Sequence, residues 1–151
     1  MANGKKGFHK RASAINELIN EIKKANSLKE VFIPEKYALP GGWAHEVVSS
    51  LGKSKDVAMN SSQLRKIFTQ LKNIEEKVAR NTDDNLTSEQ MNEILLLMPQ
   101  IAYARGRNLI SIGFYNLLKE CITPEKIKDR KDYKSFVNFY TAVIAYTKLS
   151  N

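Results

Sequence analysis

The chain has 151 residues, 42% of them hydrophobic and 26% charged, with a single cysteine. That is the length of one domain with one hydrophobic core, and the apolar fraction argues against disorder outside the ends. Twenty-four Lys and Arg against 16 Asp and Glu give a net charge of +8, which suits a polyanionic partner without establishing one. With Cys121 alone, an internal disulfide and a multi-cysteine metal site are excluded. A reducing cytoplasm and a soluble protein are expected, since no apolar run has the length of a signal peptide or a membrane span.

Residues 1–10 (MANGKKGFHK) carry three lysines and two glycines with no period, and are expected to form a mobile basic arm ahead of a helical domain spanning 11–151. Ile15, Leu18, Ile19 and Ile22 then fall on one face of a short amphipathic helix ending by Asn26. Pro34, Pro40, Gly41 and Gly42 make "FIPEKYALPGGW" a loop, with Phe32, Tyr37 and Trp43 either stacking on bases or anchoring the loop to the core. The bland alternative, anchoring, is preferred. A two-turn helix from Trp43 to Leu51, ended by Gly52, would direct Val47, Val48 and Leu51 inward.

The clearest pattern runs from Asn60 to Arg80. Asn60 caps it with Gln63 at the third position, and Leu64, Ile67, Phe68, Leu71, Ile74 and Val78 recur at the helical period. Thr87 and Gln90 form a second capping-box signature, opening a helix through Met91, Ile94, Leu95 and Met98. Pro99 either starts a new helix or kinks a longer one, and helix is expected from there to about Cys121. After the polar "TPEK" link, Tyr133 to Leu149 gives a final amphipathic helix with Phe136, Val137, Tyr140, Val143 and Ile144 on one side. The expected fold is an all-α, single-domain helical bundle of about five to six helices.

Chemistry-bearing motifs are sparse. His9 and His45 have no metal-ligand spacing, and Gly41-Gly42 lacks the downstream Gly-Lys-Ser/Thr of a phosphate-cradling loop, so no metal and no cofactor are expected. Arg107-Asn108 begins the Arg-polar-three residues-His spacing of helical RNA nucleases, but Ile112 stands where the histidine belongs and no general acid/base fills the role. No catalytic residue is assigned.

The positive signal is charge segregation. Between Asp56 and Glu75 there is no acidic residue while Arg65, Lys66 and Lys72 are present; between Glu93 and Glu120 Arg105, Arg107 and Lys119 are likewise uncompensated. At 100° per residue Arg65 and Lys72 project within about 20° of each other, placed to act on one ligand, while Lys66 points to the opposite side. On a continuous later helix the core stripe would be Tyr103, Ile110, Phe114, Leu117 and Cys121. Gly106 and Gly113 would open a groove at its edge for a neighbouring backbone. Arg107 would border that stripe as an ordered phosphate fork, or alternatively an ion pair at a helix contact, and Arg105 would lie in the polar face.

"Ser61-Ser-Gln-Leu-Arg-Lys-Ile-Phe68", followed by "Leu97-Met-Pro-Gln-Ile-Ala-Tyr-Ala-Arg-Gly-Arg107" and an apolar helix, resembles the small helical subunit of type III-A CRISPR effector complexes, over residues 43–146. The resemblance implies a non-catalytic antiviral-defence subunit whose copies stack as an inner filament. Its implied partners are the backbone subunits, the large Cas10-type subunit, the guide RNA and the single-stranded target RNA, met through phosphate contacts. By position it implies Arg65, Lys66 and chiefly Arg107 as RNA-binding residues; Lys72 and Arg105 are added from the wheel. Residues 1–42 carry no motif of that family. The alternative reading is a helical assembly scaffold that joins protein copies without touching RNA.

Overall fold

The computed structural model describes residues 14–53 and 60–150; the expected basic arm, 1–10, lies outside them. Within that range the regular structure is all helical: α1 (residues 14–24), α2 (Leu28–Val31), α3 (Pro34–Tyr37), α4 (Trp43–Lys53), α5 (Ser61–Val78), α6 (Ser88–Leu95), α7 (Leu97–Gly106), α8 (Ile112–Cys121) and α9 (Arg130–Ser150). The all-α, single-core expectation holds, with more and shorter pieces than the five to six helices foreseen. Two of the additions, α2 and α3, are single turns inside the stretch read as a loop; Pro34 occupies the first helical position of α3, where its missing N–H costs nothing. Helix α4 runs through Gly52 instead of ending before it.

The last helix organises the rest. Tyr133, Phe136, Val137, Phe139, Tyr140 and Val143 of α9 are buried, and α9 packs against α2, α3, α4 and α5. The phenols of Tyr133 and Tyr140 donate to the main-chain oxygens of Leu71 and Leu64, at 2.7 and 2.9 Å. Both donors and both acceptors are seven residues apart, in opposite chain order, so the two bonds fix α5 antiparallel to α9 in one register. Burial pushes both phenols far above the usual tyrosine range, keeping them protonated donors at any working pH.

The loop aromatics are anchors, as preferred: Phe32 stacks on Phe139 at 4.3 Å, and Tyr37 meets both rings edge-on. A carboxylate completes the attachment. Asp132, fully buried, accepts from the backbone N–H groups of Lys29 and Lys128 at 2.8 and 2.9 Å, and the Lys29 ammonium lies 3.4 Å away. Asp129, just before α9, accepts from the N–H of Asp132 and from Lys29 Nζ.

Helix ends follow local chemistry. Asn60 Oδ1 accepts from Gln63 N at 2.9 Å, and Thr87 with Gln90 forms the full reciprocal capping box. Pro99 takes the third position of the new helix α7, where the N–H it lacks would have had no carbonyl partner one turn back, and the chain breaks at Leu96. The expectation of helix from there to Cys121 fails at Gly106. Asn108 has φ 62°, and the N–H groups of Asn108 and Leu109 return to the carbonyls of Arg105 and Ala104 at 2.9 Å each. That is a Schellman ending with asparagine in the left-handed position usually held by glycine. Ser111 then caps α8 through Phe114 N.

Three expectations lose their basis with that break. Tyr103, placed in the core stripe, is 66% exposed. Gly106 and Gly113 sit on different helices, and a Cβ at Gly106 would meet nothing within 4 Å, so it opens no packing groove; only Gly113 is near neighbours, Ile15 at 3.4 Å and Leu51 at 3.9 Å. Arg105 and Arg107 exchange roles: Arg105 is half-buried and donates to the Ile110 carbonyl at 2.9 Å, while Arg107 is exposed.

Two measurements check this account. Replacing Asp132 by Ala removes the acceptor of two backbone donors and should lower the unfolding free energy by about 3 kcal/mol in urea titration, whereas Gly106→Ala should be neutral or stabilising by up to about 1 kcal/mol. A glycine groove would instead make Gly106→Ala clearly destabilising. The acid limb of stability tests Asp129: burial alone would raise its carboxyl, but hydrogen bonds from Asp132 N and Lys29 Nζ outweigh it and hold the group below the usual carboxylate range. A carboxyl depressed in the folded state stabilises above its unfolded pKa of about 4 and loses that contribution as pH falls through the lower folded value. Asp129→Asn should therefore flatten the fall in unfolding free energy below about pH 4; an unchanged acid limb would contradict the assignment.

Candidate nucleic-acid interface

Helix α5 shows its neighbours two different flanks. Its buried stripe is Leu64, Ile67, Leu71, Ile74 and Val78. At 100° per residue, Gln63, Lys66 and Gln70 fall on one side of that stripe, and Arg65, Lys72 and Glu75 on the other. Because the tyrosine bonds to α9 set the rotation of α5, the first flank faces α7 and the second borders α9.

On the α9 side a cleft of about 730 Å³ is lined by Lys72, Arg130, Lys131 and Lys134 together with Glu75, Glu76 and Asp84. These charges answer one another. Lys72 Nζ lies 2.6 Å from Glu75 Oε1, Arg130 and Lys131 each approach Asp84 at 3.8 Å, and Arg130 Nη1 also donates to the Asn81 carbonyl. Lys72 thus has an acidic partner one turn on, at the residue that closed the acid-free stretch of sequence. Arg65 is exposed on this flank but does not line the cleft.

On the α7 side a cleft of about 350 Å³ runs between Gln63, Lys66 and Gln70 on one wall and Gln100, Tyr103 and Arg107 on the other, and none of its lining residues is acidic. Gln70 Nε2 donates to Gln100 Oε1 at 2.6 Å, tying α5 to α7 across it. The Arg107 guanidinium lies over the Tyr103 ring, 5.8 Å from its centroid. Pro99 and the Asn108 ending position this wall: the first starts α7, the second stops it so that Arg107 is the residue leaving the helix. Asn60 N, at the head of α5, reaches the Leu109 carbonyl at 3.4 Å, closing one end.

The five basic residues singled out from the sequence are therefore divided. Lys66 and Arg107 are brought to one acid-free cleft; Arg65 and Lys72 lie on the far flank of α5; Arg105 is engaged with the main chain of the turn. Tyr103 and the three glutamines were missed. The signal was available only once α7 is ended at Gly106: with Leu97, Ile101 and Ala104 as the buried direction, Tyr103 points roughly 120° away from it.

Among the described residues the remaining titratable groups form no metal-binding cluster. His45 Nδ1 accepts from Gly41 N at 3.0 Å and its ring stacks on Tyr146 at 4.8 Å. Burial, with Glu120 nearby, pushes the Cys121 thiol far above its usual value, an inert core group. Arg107 and Asn108 stand in the turn and Ile112 begins the next helix, so the spacing that resembled a nuclease motif does not lie on one helix.

The described residues thus form a basic, all-α bundle with an acid-free cleft between α5 and α7. The Csm2 Type III-A family model matches residues 42–151, the whole of α4 to α9, and the chain belongs to that family, a subunit of type III-A CRISPR complexes. Comparison with curated proteins and with solved structures gave no match. The match leaves out α1 to α3, although Leu18, Ile22, Leu28 and Phe32 share one hydrophobic core with the family segment. A chain starting at residue 42 should accordingly lose cooperative thermal unfolding or become insoluble, whereas an independently folding family segment would melt as sharply as the full chain.

Proposed function

We propose that the chain is a non-catalytic subunit of the type III-A ribonucleoprotein that holds the guide and target RNA by their phosphodiester backbone, through Lys66 and Arg107. The observation that carries this reading is the pairing of these two cations across a cleft with no acidic lining. A guanidinium and an ammonium on opposite walls suit consecutive phosphates, and such contacts carry no base sequence, as a subunit serving any guide requires. Arg65 on the outer flank, with Lys72 and Arg105 engaged inside the chain, contributes to the positive field that draws RNA in. In the cytoplasmic antiviral complex, copies would stack as an inner filament beside the backbone subunits and the large Cas10-type subunit, so that successive clefts follow one strand. No membrane partner is proposed: among the described residues no helix is long and apolar enough to cross a bilayer. The assembly-scaffold alternative, which draws on apolar flanks and positive charge as well as on a glycine groove, no longer has the groove at Gly106.

The test is the affinity of the purified chain for single-stranded RNA across a salt series, read by fluorescence anisotropy. Lys66→Ala and Arg107→Ala should each weaken binding and each lower the log-log salt slope by about 0.7, while Lys72→Ala should change it little. Affinity and slope unaltered by both Lys66 and Arg107 replacements would rule out direct contact through this cleft.

A further inference from the structure

Charge alone does not account for the composition of the α5/α7 cleft. It holds Tyr103, an aromatic ring two-thirds open to solvent beside Arg107, and three of its walls' side chains are the amides of Gln63, Gln70 and Gln100. A groove for phosphate only would need neither. The Arg107 guanidinium lies over one face of this ring, and the open remainder of the side chain is a stacking platform for a planar, polar-edged group. Gln70 and Gln100 use one donor and one acceptor on each other, and an amide has capacity for more, so both can still meet polar edges. An apolar protein side chain seated there would strip these amides of water without replacing it. At about 350 Å³ the cleft is at the small end of sites for small organic groups, room for one such group and its attached phosphates.

We infer that the cleft is a one-nucleotide subsite: a nucleobase of single-stranded RNA, turned out of its stack, lies on the Tyr103 ring with its polar edges toward the glutamines, while Lys66 and Arg107 take the flanking phosphates. This rests on the RNA reading above and adds a base contact to it. The contact is tolerant of base identity, because every base offers a face to stack, and it requires an unpaired nucleotide, because a base held in a duplex presents no free face. Each bound copy would thereby select strands able to extrude one base.

The experiment compares a short oligouridylate with an oligonucleotide of equal length carrying abasic riboses, using the full chain and its variants in the same salt series. Tyr103→Ala, at an exposed position that leaves the core intact, should weaken oligouridylate binding about fivefold to a hundredfold with an unchanged salt slope, and Tyr103→Phe should bind like the parent. The parent should also prefer oligouridylate to the abasic strand, and Tyr103→Ala should erase that preference. If Tyr103→Ala binds like the parent while Lys66→Ala and Arg107→Ala weaken binding, the base subsite is wrong and the phosphate reading stands. If Tyr103→Ala weakens both strands equally, the ring serves only to place Arg107, and the inference fails. If none of the three variants changes RNA binding, both readings fall together.

Discussion

Two hydrogen bonds, from Tyr133 and Tyr140 of α9 to the carbonyls of Leu71 and Leu64 of α5, set the geometry on which the rest depends. A packed apolar stripe alone tolerates small rotations and one-turn slips of one helix along another, since Leu, Ile and Val on neighbouring turns are nearly interchangeable. A buried phenol cannot slip in that way, because moving off its carbonyl leaves an unsatisfied donor in a dry interior. Two such donors in matching spacing fix translation, direction and rotation together. The flank of α5 that reaches α7 is then determined, and with it the choice of Lys66 over Arg65 as the lysine or arginine that looks across at Arg107.

The same constraint sorts the positive charge by function. Along α9 the cations meet Glu75, Glu76 and Asp84, and a cleft of mixed sign holds its own counterions at home. Along α7 the facing residues are glutamines, a tyrosine and cations, so the field there is unopposed locally. Net charge describes the molecule as a whole; what a phosphate meets is this local imbalance. In the proposed reading, one such cleft per copy of a type III-A CRISPR subunit would give a repeating anion-binding element that needs no sequence-reading surface.

Much of this was legible in the sequence where one local rule acted alone. The Asn60 cap, the Thr87–Gln90 capping box, the apolar period of α5 and the anchoring role of Phe32 and Tyr37 each follow from residue type and spacing. The errors at Tyr103, Arg105 and Arg107 share a cause. Gly106 drew attention as the odd residue of its helix, but the chain turns two residues later, at Asn108, which accepts the left-handed conformation without advertising it. Carrying the helical wheel through that turn put Tyr103 in the core and exchanged the surroundings of Arg105 and Arg107. The neighbour of Lys72 was hidden for another reason: Glu75 closes the acid-free stretch in sequence, but on a helix it is the residue one turn on. The attachment of α2 through Asp132 joins residues about a hundred positions apart and has no local signal at all.

The segment ahead of the family match belongs to the same core, held by Asp132 and the Phe32–Phe139 stack, and contributes none of the residues lining the α5/α7 cleft. The most direct measurement is site-specific photo-crosslinking in the assembled ribonucleoprotein, with a photoreactive residue at Gln63, on the α5/α7 cleft, or at Asn138, on the α5/α9 cleft. The account predicts RNA adducts from position 63 well in excess of those from position 138. Equal adducts from the two positions, or adducts from 138 alone, would contradict it.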